Sequence, residues 1–236
     1  MTQLLEIWGF YLMTVQRQKE VGKDKQRKHN KDIATITFGV NTMSKQAKTL
    51  TQQELRRVLD YIATRKHSTR NRALLMITHL SGMHVGEVAS LRNGDVLDAE
   101  GNIRKEICLS AEQTKGNEAR IVFINEKLRK ELEQYTRLFG ADKFNPVHKF
   151  FYSQKRNSDG FTANTLTQFF HYLYKKAGIN GASSHSGRRT FITNLATNGV
   201  GVRVLMSLAG HKNISTTQAY IDVNDDMKRK AVELAY

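Results

Sequence analysis

Three short segments near the C-terminal end decide how this chain is read: His185-Ser186-Gly187-Arg188-Arg189-Thr190, then Leu208-Ala209-Gly210-His211, then Ile214-Ser215-Thr216-Thr217-Gln218-Ala219-Tyr220. Taken singly, these residues say little. A tyrosine late in a chain is ordinarily packing, and a lone histidine is ordinarily a structural hydrogen-bonder. Their order and spacing carry the information: a planar guanidinium fork at Arg188, flanking imidazoles at His185 and His211, and a hydroxyl nine residues past His211.

Working outward, residues 188–198, 202–209, 216–220 and 225–234 all show helical patterning. Upstream, 165–176 is an amphipathic helix whose aromatics fall three and four apart, which assigns them to a core rather than to a base-stacking surface. Residues 126–138 are again helical, and Pro146, the only proline, sits in a connection. Two β-type segments, 103–109 and 120–124, flank Gln113-Thr114-Lys115-Gly116-Asn117, which predicts a hairpin with a lysine at its turn. Residues 70–80 form a largely buried helix, interrupted at Ser81-Gly82 and resuming over 85–91. Thr51-Gln52-Gln53-Glu54 is a capping box that opens a helix of about three turns. The expected fold is mainly α with a small antiparallel β-sheet of two or three strands.

The capping box marks where a compact domain begins, so the chain divides into residues 1–48 and 49–236. Residues 1–15 have the spacing of an amphipathic helix. Residues 16–31 (QRQKEVGKDKQRKHNK) hold almost no apolar side chain and read equally as a DNA-contacting arm or a solvated linker. A β-branched run covers 33–37.

Composition narrows the partners. The 236 residues include 37 Lys and Arg against 22 Asp and Glu, a net charge of +15, which points to a polyanion and first of all to nucleic acid. One cysteine, Cys108, excludes an intramolecular disulfide and a thiolate metal cluster, and it fits a reducing compartment. No stretch approaches the roughly 18 uninterrupted apolar residues of a membrane helix, and residues 1–13 lack the layout of a secretory signal. The expectation is a cytoplasmic, nucleoid-associated bacterial protein without a membrane partner.

With these segments in order, the sequence resembles the tyrosine recombinase (phage integrase) family over about residues 49–225. Its His-x-x-Arg motif matches His185 and Arg188, its Leu-x-Gly-His box matches Leu208 to His211, and its nucleophile matches Tyr220. The resemblance implies the recombinase catalytic-domain fold and site-specific DNA recombination or integration through a 3′-phosphotyrosyl intermediate. By the same resemblance Tyr220 is the nucleophile, Arg188 clamps the phosphate and His185 assists proton transfer. His211 hydrogen-bonds the scissile phosphate, and Lys115 protonates the departing 5′-hydroxyl. The chemistry accounts for these residue types. Attack on a phosphodiester loads charge onto the nonbridging oxygens, where preorganised cations and donors act best. The phenol must lose a proton and the leaving oxygen must gain one. The covalent link stores the energy of the broken bond, so neither ATP nor metal is needed and no cofactor is expected.

Two departures from the family matter. The family's first arginine sits in a Gly-x-Arg-x-x-Glu context, and Gly82-Met83-His84-Val85-Gly86-Glu87 places His84 there. Histidine is shorter, donates one bond to a given phosphate and titrates near pH 6.5. Loss of one donor of this kind typically costs about 10²–10³ in rate, which implies weakened or absent activity. The second departure is that only some 48 residues precede the capping box, fewer than the family's separate core-binding domain. Gly187 also stands where a bulkier apolar residue is usual, which predicts looser packing there. Arg189 is expected to be structural or to touch the DNA backbone, and Glu87 to be a buried carboxylate turned toward a cation. Implied partners are double-stranded DNA and further copies of the chain, four on two DNA sites, with 225–236 packing on a neighbour. An intact recombinase or accessory protein is compatible with the alternative: a non-catalytic DNA-binding protein that keeps the fold and occupies sites.

Overall fold

In the computed structural model, residues 46–139, 145–153, 160–221 and 225–233 are described. The expected helix at 1–15, the basic run at 16–31 and the β-branched run at 33–37 lie outside them.

Helix α1 (Gln52–Ala63) starts at the expected capping box: the Glu54 amide donates to Thr51 Oγ1 and the Thr51 amide to the Glu54 carboxylate. Helix α2 (Ser68–Ser81) lies at the centre of the core of residues 47–236. Ala73, Leu74, Leu75, Met76 and Ile77 are five successive residues with almost no exposure, so α2 is enclosed on all sides rather than amphipathic. The interruption at Ser81-Gly82 is present, and α3 (Val85–Ser90) follows it, then a single turn, α4 (Asn93–Val96).

Strands β1 (Glu106–Leu109) and β2 (Arg120–Phe123) form a two-stranded antiparallel sheet with Leu109 paired to Arg120. Their connection is not a tight hairpin turn. A 3-10 turn at Ala111–Gln113 precedes the segment bearing Lys115, so the lysine rides on a wide loop whose polar side chains satisfy its own backbone, Thr114 Oγ1 donating to the carbonyl of Ala111.

Helix α5 (Glu126–Thr136) packs on α2 through Leu128, Leu132 and Tyr135. Helix α6 (Ala163–Lys176) begins two residues earlier than the aromatic spacing indicates, because Thr162 caps it. Phe170 and Tyr174 are core, as the spacing predicts, whereas Tyr172 is 59% exposed. Helices α7 (Ser186–Thr197), α8 (Val202–Ala209) and α9 (Ile214–Gln218) complete the site-bearing part, and α10 (Asp225–Glu233) follows. α9 ends before Tyr220, which lies in the turn after the helix rather than on it. No helix of the described residues is long and apolar enough to cross a membrane.

The expectation of looser packing at Gly187 is wrong. A Cβ there would lie 2.3 Å from Thr78 Oγ1, 2.7 Å from Thr78 Cβ and 3.0 Å from His79 Nδ1. α7 therefore approaches α2 so closely that only a glycine fits, and the residue next to it is Arg188.

Candidate active site

Arg188, in the first turn of α7, is 2% exposed. Its Nη1 donates to the carbonyl of Gly82 at 2.7 Å and its Nη2 to the carbonyl of Ala209. The guanidinium is thus bolted to the end of α2 on one side and the end of α8 on the other. Its Nε has no hydrogen-bond partner among the described residues. Burial lowers its pKa to about 10, with Glu87 and Tyr220 acting in the opposite sense, so the group is cationic at neutral pH.

His84 precedes α3, and its backbone N–H donates to Glu87 Oε2 at 2.8 Å. Its ring meets that of His185 edge-on, with centroids 6.0 Å apart. Burial, then Arg188, His185, Arg120 and His211, push its pKa down to about 3, which makes it a neutral imidazole at physiological pH. Glu87 is 3% exposed and faces a cation, as its position implies. The cation is Arg120, the first residue of β2, whose Nε and Nη2 meet the carboxylate at 3.2 and 2.6 Å. Arg120 Nη1 donates in addition to the Leu208 carbonyl at 3.0 Å.

His211 follows the Gly210 cap of α8. Its Nδ1 pairs with Oγ1 of the fully buried Thr217 at 2.9 Å, which fixes the ring and leaves Nε2 for another partner. Burial, Arg188 and Arg120 lower its pKa to about 4. Tyr220 stacks on His211, centroids 5.6 Å apart at 25°, and the Arg189 guanidinium lies 5.3 Å from the tyrosine ring centre. The backbone carbonyl of Tyr220 accepts from Thr193 Oγ1 on α7, which ties the turn to the helix that carries Arg188. His185, at the start of α7, has its pKa lowered by burial, then by Lys115 and Arg188. Lys115 is exposed on its loop.

A cleft of about 790 Å³ opens over this arrangement, with His84, Lys115, Arg120, Ile121, Met206 and His211 among its lining residues. His185, Arg188 and Tyr220 are not among the cleft's lining residues; they join His84, Lys115 and His211 through the His84–His185 and His211–Tyr220 ring contacts and the interaction of Tyr220 with Arg188. Sequence reasoning missed Arg120, Thr217 and Thr193. A signal for the first was available: a buried Glu87 demands a cation, and an arginine opening the strand after the Lys115 loop is a candidate for it. Among the described residues no group of three or more His, Cys, Asp or Glu side chains is arranged to hold a metal ion.

Comparison with known proteins gives the class of this helical domain. The phage integrase family matches residues 48–227, and the chain belongs to that family. It is 28% identical over 188 residues to tyrosine recombinase XerA of Pyrococcus horikoshii, an alignment covering 80% of this chain and 61% of the relative. The crystal structure of XerA recombinase superposes with a TM-score of 0.62 at 29% identity, covering 79% of this chain and 64% of that one. The Tn1549 transposon integrase, solved in complex with transposon right-end DNA, shares the fold with a TM-score of 0.61 at 22% identity over 83% of this chain and 68% of its own. The chain thus spans less than two thirds of the length of XerA.

Proposed function

We propose that this chain cleaves and rejoins double-stranded DNA at specific sites, with Tyr220 as nucleophile. The observation that carries the reading is the Tyr220 ring stacked on His211, with Arg189 over it and buried Arg188 beside it. In this reaction Tyr220 Oη attacks the scissile phosphorus and the bond to the 5′ oxygen breaks, leaving a 3′-phosphotyrosyl link and a 5′-hydroxyl. His185 takes up the phenolic proton, and Lys115 gives one to the departing oxygen. Arg188 and His211 donate to the nonbridging oxygens, where negative charge accumulates. A second 5′-hydroxyl then attacks the phosphotyrosine, restoring a phosphodiester and returning the proton to Tyr220. No oxidation state changes, and each bond broken is replaced by an equivalent one.

The net charge of +15 supports a DNA partner. In this proposal residues 49–236 are the catalytic domain, residues 1–48 a basic extension that adds DNA contact, and several copies act together on paired sites at the nucleoid. One observation favours a second reading. His84 is neutral in the free protein, so a position facing the phosphate lacks permanent charge, which suits a protein that binds sites and leaves chemistry to an intact recombinase.

Nicked suicide duplexes taken from DNA flanking the chain's own gene separate the two. A denaturant-resistant adduct that vanishes in Tyr220→Phe, with DNA affinity retained, establishes cleavage. An adduct absent from the parent but present in His84→Arg marks a binding protein with disabled chemistry. Absence of salt-sensitive duplex binding removes both readings.

A further inference from the structure

Arg120 has no part in the reaction as written above, yet its guanidinium bonds to both Glu87 and the Leu208 carbonyl across the cleft. We propose that Arg120 is a positioning residue: one guanidinium fixes the three segments that carry His84, Lys115 and His211 relative to one another. The proposal rests on the reading of the cleft as a phosphodiester-cleaving site.

The connections are specific. Toward α3, Arg120 Nε and Nη2 hold both oxygens of Glu87, and the oxygen bound at 2.6 Å also accepts the backbone N–H of His84. The position of His84 is therefore set through two hydrogen bonds in series. Toward α8, Nη1 donates to the carbonyl of Leu208, three residues before His211. A Cβ on Gly210 would lie 2.7 Å from Arg120 Cδ, so the arginine stem lies flat on the turn that leads into His211. Toward the Lys115 loop, Arg120 pairs with Leu109 in the last rung of the sheet, and Lys115 lies on the connection between these two residues. Three of the five guanidinium N–H donors are committed to these contacts.

Burial energetics argue against a purely structural role. The side chains of Arg120 and Glu87 are 10% and 4% exposed, and a buried ion pair is commonly no more stabilising than an apolar pair of the same volume. What such a pair supplies is fixed geometry and fixed charge. That charge is felt across the cleft, since Arg120 is among the groups that hold His84 and His211 neutral and that act on Arg188. A misplacement of about 1 Å between groups that act on one phosphate is enough to cost about 100-fold in rate.

The test uses the full-length chain with Arg120→Gln, which removes both the charge and the fork. Three quantities are compared with the parent: the rate of adduct formation on nicked suicide duplexes at saturating DNA, the affinity for the same duplexes, and the titration of His211 followed by ring NMR. The expected result is a rate at least about tenfold lower, nearly unchanged affinity, and a His211 titration displaced upward from about 4. Parental rate together with parental titration in a folded variant overturns the proposal. If Arg120→Gln does not fold, the double variant Glu87→Gln/Arg120→Gln, which leaves no orphan charge, is held to the same criteria. A parent that forms no adduct at all removes the cleavage reading instead, and Arg120 is then judged on the His211 titration alone.

Discussion

The floor and the rim of the site are built on different principles. The floor consists of Arg188, Glu87 and Arg120, each nearly out of solvent and each held by bonds to the ends of α2, α3 and α8. The rim carries Lys115 on an exposed loop, His185 at a helix start and Tyr220 in a turn after a five-residue helix. The floor is locked into the core that encloses α2, whereas the rim is held by local contacts within the C-terminal part, such as Thr193 to Tyr220, Thr217 to His211 and the stacking of Tyr220 on His211. Charge aimed at a transition state is most useful when it needs no reorganisation, so it belongs on the rigid part. Groups that must form and break bonds belong on segments that yield without unfolding the domain.

On this division, substitutions in the floor damage stability as well as chemistry, and substitutions in the rim damage chemistry alone. The largest stability effect is expected at Glu87→Ala. It strands the Arg120 guanidinium in a site where the carboxylate is 4% exposed, and removing one partner of a buried pair costs about 3–5 kcal/mol. Urea unfolding measures this directly. A loss below about 1 kcal/mol, the range of exposed pairs, would show that the floor is wetter than its burial implies and would erase the contrast with the rim.

Acid is the second probe. His79, behind α7, has its pKa lowered to about 4 by burial, against 6.5 in an unfolded chain. A histidine whose folded pKa is depressed binds its proton more readily when unfolded. Its stabilising contribution is therefore intact above pH 6.5 and is lost as pH falls from there toward 4. The full shift corresponds to about 3 kcal/mol at 1.4 kcal/mol per pH unit, and His84 and His211 add in the same direction. Unfolding free energies taken at pH 7 and pH 5 should differ less in His79→Gln than in the parent. An equal difference would mean that His79 is not sealed in the core.

The same contrast explains what the sequence made legible. Helix positions followed from periodicity and the capping box at Thr51, because an apolar face repeats visibly along a chain. The rim residues His185, His211 and Tyr220 followed from a motif that is local in sequence. Of the floor, Arg188 lies in the same motif and Glu87 reads as a buried carboxylate facing a cation, but the identity of that cation, Arg120, did not follow. Arg120 and Glu87 are 33 residues apart and meet only once the sheet is laid against α3, a pairing that no local pattern encodes. Gly187 was misread for the related reason that its meaning lies on another helix: seen along the chain it is a missing side chain, and seen in the fold it is the space occupied by Thr78. The loop bearing Lys115 was shortened to a hairpin turn because the 3-10 turn before it has no apolar period to betray it.

Gly187→Ala sharpens this point. The added methyl must displace Thr78 or shift α7, and overpacking of this kind costs about 1–3 kcal/mol. Because Arg188 is the next residue, the shift should reach the floor, so DNA cleavage is expected to fall by more than the folded fraction alone accounts for. Pairing it with Thr78→Ser, which removes the Cγ methyl but keeps the hydroxyl, should not restore stability, since the closest contact is Oγ1; pairing with Thr78→Ala should restore part of it. The reverse ranking would place the strain elsewhere.

The smallest effect is expected at the rim's own ion pair, Lys212 with Glu118 at 2.8 Å, which joins the loop after His211 to the loop that carries Lys115. Its geometry is as short as that of the floor pair, but its side chains are 57% and 68% exposed. Water screens such a pair, and holding two long side chains in one place costs entropy, so Glu118→Gln should change unfolding free energy by less than about 1 kcal/mol. With DNA in this cleft, as proposed, removing this carboxylate should also tighten duplex binding, modestly and more at low salt than at high. Two ion pairs of similar length thus differ severalfold in what their loss costs, and the difference comes from solvent rather than from distance. If Glu118→Gln proves as destabilising as Glu87→Ala, the two loops are as rigidly joined as the floor, and the separation of rigid charge from yielding chemistry does not hold for this chain.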